Sequence, residues 1–255
     1  MIKCLAAFYL WILSLRYRIH VTNEKLLHDQ RASLFLSNHQ AEIDPQILMS
    51  IILKYKFTSP LISASYYNLP IVKWVMKIIN AVKVSDLDNG SRDYQVMNSI
   101  HNATFEALNR GTSILLYPSG QLANQAYEII KNKQSAYVIV KELDINTPIV
   151  GVRMHGLWGS MWSKAKHGVS PPFFKTFFKG LLYYLLNLVF FIPKRDVYIE
   201  FIDLSTQIRA WAANANRHEF NYKLESFYNE KGEDSLKIVP HHFLLNINKK
   251  ENKNS

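Results

Sequence analysis

A chain of 255 residues with 48% hydrophobic and 20% charged side chains can bury one substantial core, which excludes disorder outside a terminal tail. Its net charge of +10 favours anionic partners, either nucleic acid or the anionic face of a membrane. The single cysteine, Cys4, excludes an internal disulfide and a cysteine metal cluster, in keeping with the reducing cytoplasmic side.

In chain order, the first segment is the apolar and aromatic stretch 5–15, followed at once by Arg16 and Arg18. It has only Lys3 in front and no small-residue cleavage site. Residues 1–20 therefore read as a retained helix lying on a membrane, with a short span or a buried helix as alternatives. Strand-like runs follow at 33–37, 61–64, 81–84, 113–117, 148–153 and 197–202, interleaved with helical patterns at 45–54, 70–79, 93–108 and 135–143. This alternation predicts an α/β fold, a largely parallel or mixed sheet covered by helices, in one domain over 21–243. Residues 206–228 read as helical, and 244–255, rich in Lys and Asn, as a mobile tail. No internal repeat or Gly/Pro/Ser-rich linker marks a second domain.

Within that domain, 173–193 stands out. From 177 to 192 only Lys179, Gly180 and Asn187 interrupt an apolar run that falls short of the roughly 20 residues needed to span a bilayer. Lys164, Lys166, Lys175, Lys179, Lys194 and Arg195 alternate here with Trp158, Trp162 and a series of Phe and Tyr, a mixture suited to the headgroup layer. An interfacial or re-entrant segment is expected, with a buried core helix as the alternative.

The chemistry points to 37–45, SNHQAEIDP, directly after the first strand-like run. A histidine accepts a proton from a hydroxyl near neutral pH when a carboxylate fixes its tautomer and stabilises the imidazolium. His39 and Asp44 are five residues apart, a turn of about 140° on a continuous helix, so the segment must bend for them to meet. Pro45 suits the first turn of a helix and predicts Asp44 at its N-cap, with His39 on the preceding loop. The plain alternative is an ordinary Asp-Pro helix start beside a structural histidine.

Asn38-His39-x-x-x-x-Asp44 resembles the first signature of the glycerolipid acyltransferase superfamily, which includes the bacterial 1-acylglycerol-3-phosphate acyltransferases. Residues 114–121, ILLYPSGQ, resemble that family's strand followed by Phe-Pro-Glu-Gly-Thr, and 147–152, TPIVGV, its late strand opened by proline. Departures accompany the matches. Ser119 stands where the family has glutamate, and Gln121 and Leu122 follow the glycine in place of Thr and Arg. The region NAVKVSD, 80–86, lacks the family's arginine, for which Lys83 and Arg92 are the candidate substitutes. The form Tyr-Pro-Ser-Gly-Gln, with GLWGS at 156–160, is similar to the branch related to 2-acylglycerophosphoethanolamine acyltransferases, in which an acyl-activating domain is often attached; no such domain is recognisable here.

The resemblance implies that His39, oriented by Asp44, deprotonates the free hydroxyl of a lysophospholipid, which attacks the thioester of acyl-ACP or acyl-CoA directly. Backbone N–H groups near Pro45 or Gly120 are candidate oxyanion donors. Asn38 is expected to hold the loop by a side-chain hydrogen bond, and Ser119, Gly120, Gln121 and Arg153 to bind the acceptor phosphate or the donor; no metal site or other cofactor is expected, because His39, Glu42 and Asp44 lack a second nearby histidine. The expected setting is the cytoplasmic face of the inner membrane, peripheral or monotopic, with a separate acyl-activating enzyme as a further partner. Two other classes compete. One is a serine hydrolase or thioesterase with Ser119 as nucleophile and His39 or His155 as base, although 117–121 lacks the glycine two residues before serine. The other is a non-catalytic basic membrane-binding protein. Nucleic acid is not an expected partner, for want of a basic recognition helix or an aromatic RNA-binding strand.

Overall fold

The structure, a computed structural model, describes residues 2–84 and 94–243. Arg92, Asp93 at the start of the predicted helix 93–108, and the proposed tail 244–255 lie outside the described residues.

Helix α1 (Ile2–Arg16) runs straight into strand β1 (Tyr17–Thr22). Then come β2 (Leu34–Ser37), α2 (Asp44–Ile52), β3 (Thr58–Ser63), the short α3 (Ala64–Tyr67), α4 (Pro70–Ile78) and β4 (Val82–Val84). The second half contains α5 (Tyr94–Asn109), β5 (Ser113–Leu116), α6 (Ser135–Glu142), β6 (Ile149–His155), α7 (Phe173–Leu186), β7 (Arg195–Asp203), α8 (Ser205–Asn214) and α9 (Arg217–Tyr228). The strands form one seven-stranded sheet in the order β1-β7-β6-β2-β5-β3-β4. Neighbours are parallel except β6 and β7, so the sheet is mixed and the α/β class expected from the alternation holds.

The central strands β2 and β5 are buried at every residue, which is why LFLS and SILL read as continuous apolar runs rather than alternating ones. Their side chains still divide by parity. Phe35 and Leu115, with Val150, Val152 and Met154 of β6, face α1 and α2, packing on Leu13, Ile47, Leu48 and Ile51. Leu34, Leu36, Ile114 and Ile149 face the opposite layer, formed by α5, α6, α8 and α9.

Three elements depart from the sequence reading. The proposed membrane-lying helix over 1–20 ends at Arg16, because Tyr17 to Thr22 pair in register with Arg195 to Glu200 of β7. One edge of that helix is core, through Ala6 and Leu13, while Leu5, Phe8 and Trp11 are exposed. The helical stretch 206–228 is two helices, broken at Asn216, whose side chain accepts from the N–H groups of His218 (2.9 Å) and Glu219 (3.1 Å) in a capping box. Finally, α7 is not the buried helix of the alternative reading: Phe177, Phe178, Leu181, Leu182, Leu185 and Leu186 are all exposed.

The aromatic-basic mixture around α7 separates in the same way. Trp158, Trp162 and Arg195 belong to the interior, whereas Lys166, Lys175, Lys179 and Lys194 are exposed. The Arg195 guanidinium donates to the carbonyls of Gly156 (2.6 Å), Trp158 and Lys237. Burial lowers its pKa to about 10, so it stays charged. Arg16 likewise donates to the carbonyls of Pro193, Val239 and Pro240. Two buried guanidiniums thus fasten the irregular C-terminal segment to the sheet, a role no local pattern announces. Among the described residues no helix is long and apolar enough to cross a membrane.

Candidate active site

The site lies where β2, β5 and β6 end at their carboxyl termini. Asn38 extends β2 by one step: its amide donates to the Met154 carbonyl (2.8 Å) and accepts from the Met154 N–H (2.7 Å), pinning the loop to β6. The chain then turns sharply, and Asp44 closes the turn. Its Oδ2 accepts from the N–H groups of Gln40 (2.5 Å) and Ala41 (2.9 Å) and meets His39 Nδ1 at 3.1 Å. The sequence reading set Asp44 at the N-cap. It is instead the first helical residue, Ile43 is the cap, and no side-chain cap bond forms, because the carboxylate reaches back into the turn rather than forward into the helix.

This arrangement defines the proton inventory. A carboxylate at Nδ1 favours the tautomer with hydrogen there, which leaves the Nε2 lone pair to accept a proton. The His39 side chain is 16% exposed and Asp44 is fully buried, so the base reaches solvent while its orienter does not. The imidazole also stacks on Tyr117, with ring centroids 4.2 Å apart and planes at 26°. The Tyr117 hydroxyl is buried without a protein partner, and burial, aided by Asp44 and Glu128, pushes its pKa well up, keeping it protonated.

Ser119 is buried, and its hydroxyl lies 3.0 Å from the Gln121 carbonyl and bonds to the Glu128 carboxyl. It makes no bond to a histidine, which removes the geometric basis for a serine nucleophile. Gly120 sits at φ +62, and its N–H is spent on the Tyr117 carbonyl (2.9 Å). The donors expected for an oxyanion at Gly120 and at the helix start are largely engaged: Gln40 and Ala41 by Asp44, Glu42 by the Trp162 carbonyl. Gln121 is exposed beside the turn.

Arg153 is not brought to His39. Val152 and Met154 face α1 and α2, so Arg153 between them points to the other layer. There it lies on the Phe227 ring at 4.2 Å, donates to the Phe227 carbonyl (2.7 Å), and pairs with Glu200 and Glu230. A guanidinium already holding two carboxylates is not free for an acceptor phosphate. Lys164, by contrast, is hydrogen-bonded to Asn124 (2.9 Å) and interacts electrostatically with Glu42, which also senses His39. Glu42 is half-buried, which raises its pKa, and accepts a hydrogen bond from Tyr66.

Several contributors carried no signal in the sequence. Gln40 joins the His39 turn to Asp234, which also binds the Gly156 N–H (2.8 Å) and His155 Nδ1 (3.3 Å). Glu128 accepts from the His39 N–H at 2.8 Å and is 3% exposed. Burial raises its pKa from 4.5 to about 7 against the hydrogen bonds of Ser119 and the His39 N–H. This has a stability consequence. Between pH 4.5 and about 7 the folded protein retains on Glu128 a proton that the unfolded chain releases. Stability therefore falls as pH rises through that window, by roughly 3 kcal/mol, and Glu128 adds no slope above it. Denaturant titrations across pH are expected to show this slope in wild type and its loss in Glu128→Gln; equal slopes would contradict the assignment. Among the described residues no group of His, Cys, Asp and Glu is arranged to hold a metal ion.

A layered α/β sheet with a His–Asp pair at its carboxyl edge is the frame of an acyl-transfer enzyme, and the family comparison agrees. The acyltransferase family model matches residues 18–155, more than half of the chain. The chain belongs to this family, within the glycerolipid acyltransferase superfamily, and is an O-acyltransferase. Among solved structures it is similar to the 1-acyl-sn-glycerophosphate (LPA) acyltransferase PlsC from Thermotoga maritima, with a TM-score of 0.56 at 14% identity, covering 90% of this chain and 77% of that one. That likeness extends the common fold well beyond the matched 18–155. No curated protein matches the chain.

Proposed function

We propose that this enzyme moves a fatty acyl group from acyl-ACP or acyl-CoA to the free hydroxyl of a lysophospholipid, at the cytoplasmic face of the inner membrane. The observation that carries the reading is the contact between His39 Nδ1 and Asp44 Oδ2 at 3.1 Å on a histidine whose side chain is 16% exposed, which directs Nε2 to take up a proton. Nε2 takes the proton of the acceptor hydroxyl as its oxygen adds to the thioester carbonyl. Collapse of the tetrahedral intermediate expels the thiolate, which recovers the proton from the imidazolium. No acyl-enzyme forms, in agreement with the buried, histidine-free setting of Ser119.

The acceptor is an ethanolamine lysophospholipid rather than lysophosphatidate. A phosphate monoester calls for more positive charge than a diester, and Arg153 is neutralised by Glu200 and Glu230, while Lys164 is a cation that interacts with Glu42 beside His39. Membrane association is supported by the adjacent helices α1 and α7, joined by the Tyr184 hydroxyl on the Ile12 carbonyl (3.4 Å), each exposing an apolar row, with the exposed Lys175 and Lys179 on α7. A separate acyl-activating enzyme is proposed as the source of the thioester.

The direct test presents labelled acyl-ACP and acyl-CoA with a panel of lysophospholipids in mixed micelles. The expected product is a diacyl phospholipid, formed fastest with lysophosphatidylethanolamine. Preference for lysophosphatidate would overturn the acceptor assignment, and no transfer to any acceptor by folded protein would overturn the reaction.

A further inference from the structure

We infer that Glu128 is a positioning residue for His39, a buried carboxylate that holds the base through its backbone N–H and adds negative charge beside it when the imidazolium forms. The inference deepens the acyl-transfer reading and rests on it for its kinetic part only.

The support is geometric. Glu128 lies on the long connection between β5 and α6, where a polar side chain would ordinarily face solvent. Here that connection is stapled to α9. The Glu128 N–H donates to Asn229 Oδ1 (2.8 Å), and its carbonyl accepts from Asn229 Nδ2 (2.9 Å). Two and three residues on, the N–H groups of Ile130 (2.5 Å) and Lys131 (2.9 Å) both donate to Glu225. The side chain is thereby fixed inward, under the His39 turn, with its Oε2 2.8 Å from the His39 nitrogen. Burying an ionisable group costs several kcal/mol unless it is well partnered, so a carboxyl held here by both its backbone and its side chain has a use at that place.

The groups around it determine its response to pH. From the β2 loop it meets His39, from α2 Asp44, from the end of β5 Tyr117, and from α9 Tyr228. Across the same hollow lie His155 from β6, paired with Asp234 of the C-terminal segment, and Lys131 flanks it on its own loop. The tyrosines are neutral, since burial raises both hydroxyls well above their ordinary value. Burial first, and then Asp44, push Glu128 up to about 7, while Ser119 and His39 oppose the rise. The carboxyl therefore changes charge near neutral pH.

Ser119 reports that change. A serine hydroxyl has one hydrogen, and here it has two acceptors within reach, the Gln121 carbonyl at 3.0 Å and the Glu128 carboxylate. Protonated Glu128 donates to Ser119 Oγ, which turns its own hydrogen to Gln121. Loss of that proton to solvent swings the hydroxyl to the carboxylate and frees the Gln121 carbonyl. Above neutral pH His39 then lies between two negative charges, Asp44 at its ring and Glu128 at its backbone, and an imidazolium on it is better stabilised than below.

The test compares wild type, Glu128→Gln and Ser119→Ala over pH 5–9, by acyl transfer and by the His39 amide signal in selectively ¹⁵N-histidine-labelled protein. Wild-type kcat is expected to rise through an inflection near 7. Glu128→Gln keeps the shape of the side chain but loses that inflection, with kcat at pH 8 lower by about tenfold and KM little changed. Ser119→Ala removes a donor to the carboxylate and moves the inflection upward, so it decides the matter if Glu128→Gln fails to fold. The His39 amide is expected to carry a transition near 7 that Glu128→Gln abolishes. Superimposable amide titrations in wild type and Glu128→Gln overturn the inference whether or not the enzyme is active. Absence of transfer by wild type counts against the acyl-transfer reading alone, and the amide signal then judges Glu128.

Discussion

Replacing His39 with alanine is expected to lower kcat for acyl transfer by on the order of 10³-fold, because a positioned general base contributes about two to four orders of magnitude. Its ring meets the fold through the Tyr117 stack and the Asp44 carboxylate, and Asp44 keeps the Gln40 and Ala41 N–H bonds without it, so the variant keeps its secondary structure and melting transition. Asp44→Asn is expected to cost on the order of 10²-fold or more. The amide oxygen still accepts from the Gln40 and Ala41 N–H groups, which preserves the turn, but the charge opposite Nδ1 is gone and the imidazolium is less stabilised. Both losses fall on kcat rather than KM, since neither group binds the ground state of the acceptor. Initial rates against acceptor concentration at pH 8 check this; a His39→Ala enzyme retaining a tenth of the wild-type rate would remove histidine from the mechanism.

The second large effect concerns the membrane. Leu181 and Leu185, 49% and 60% exposed on one side of α7, are expected to enter the bilayer surface. Burying a leucine is worth about 1.5–3 kcal/mol, so Leu181→Glu combined with Leu185→Glu is expected to weaken partitioning to anionic vesicles by roughly 10³-fold. The added negative charge opposes the same lipids that Lys175 and Lys179 favour. Being exposed in the fold, the two positions tolerate glutamate without loss of stability. Flotation with vesicles of phosphatidylethanolamine and phosphatidylglycerol measures the effect, and unchanged co-flotation of the double variant would show that α7 does not dock.

Local chemistry was legible in the chain itself. The His39–Asp44 contact closes within a turn of six residues, so its spacing and the following proline allowed it, and the resemblance of Asn38-His39-x-x-x-x-Asp44 to the family signature singled it out. The strand-like runs at 33–37, 113–117 and 148–153 also declared themselves, because a strand buried on both faces must be apolar throughout. Strand β1 escaped notice: it follows α1 without a break, Arg16 and Arg18 look like the charged flank of a membrane segment, and its partner β7 lies 178 positions away.

What only the tertiary structure decided is the fate of charged groups far apart in sequence. Arg153 ends the strand-like run 148–153, where a ligand-binding arginine could stand, yet it lies within β6, and strand parity turned it away from His39 and toward Glu200 and Glu230. Arg195 sits among surface lysines in sequence but is buried, with carbonyls from two remote segments completing its bonds. Glu128 is separated from His39 by 89 positions and stands in a stretch with no motif. Periodicity and spacing report interactions between near neighbours along the chain. Desolvation, and the partners that offset it, depend on the layers that fold over a residue, and those are set by sheet order and helix packing.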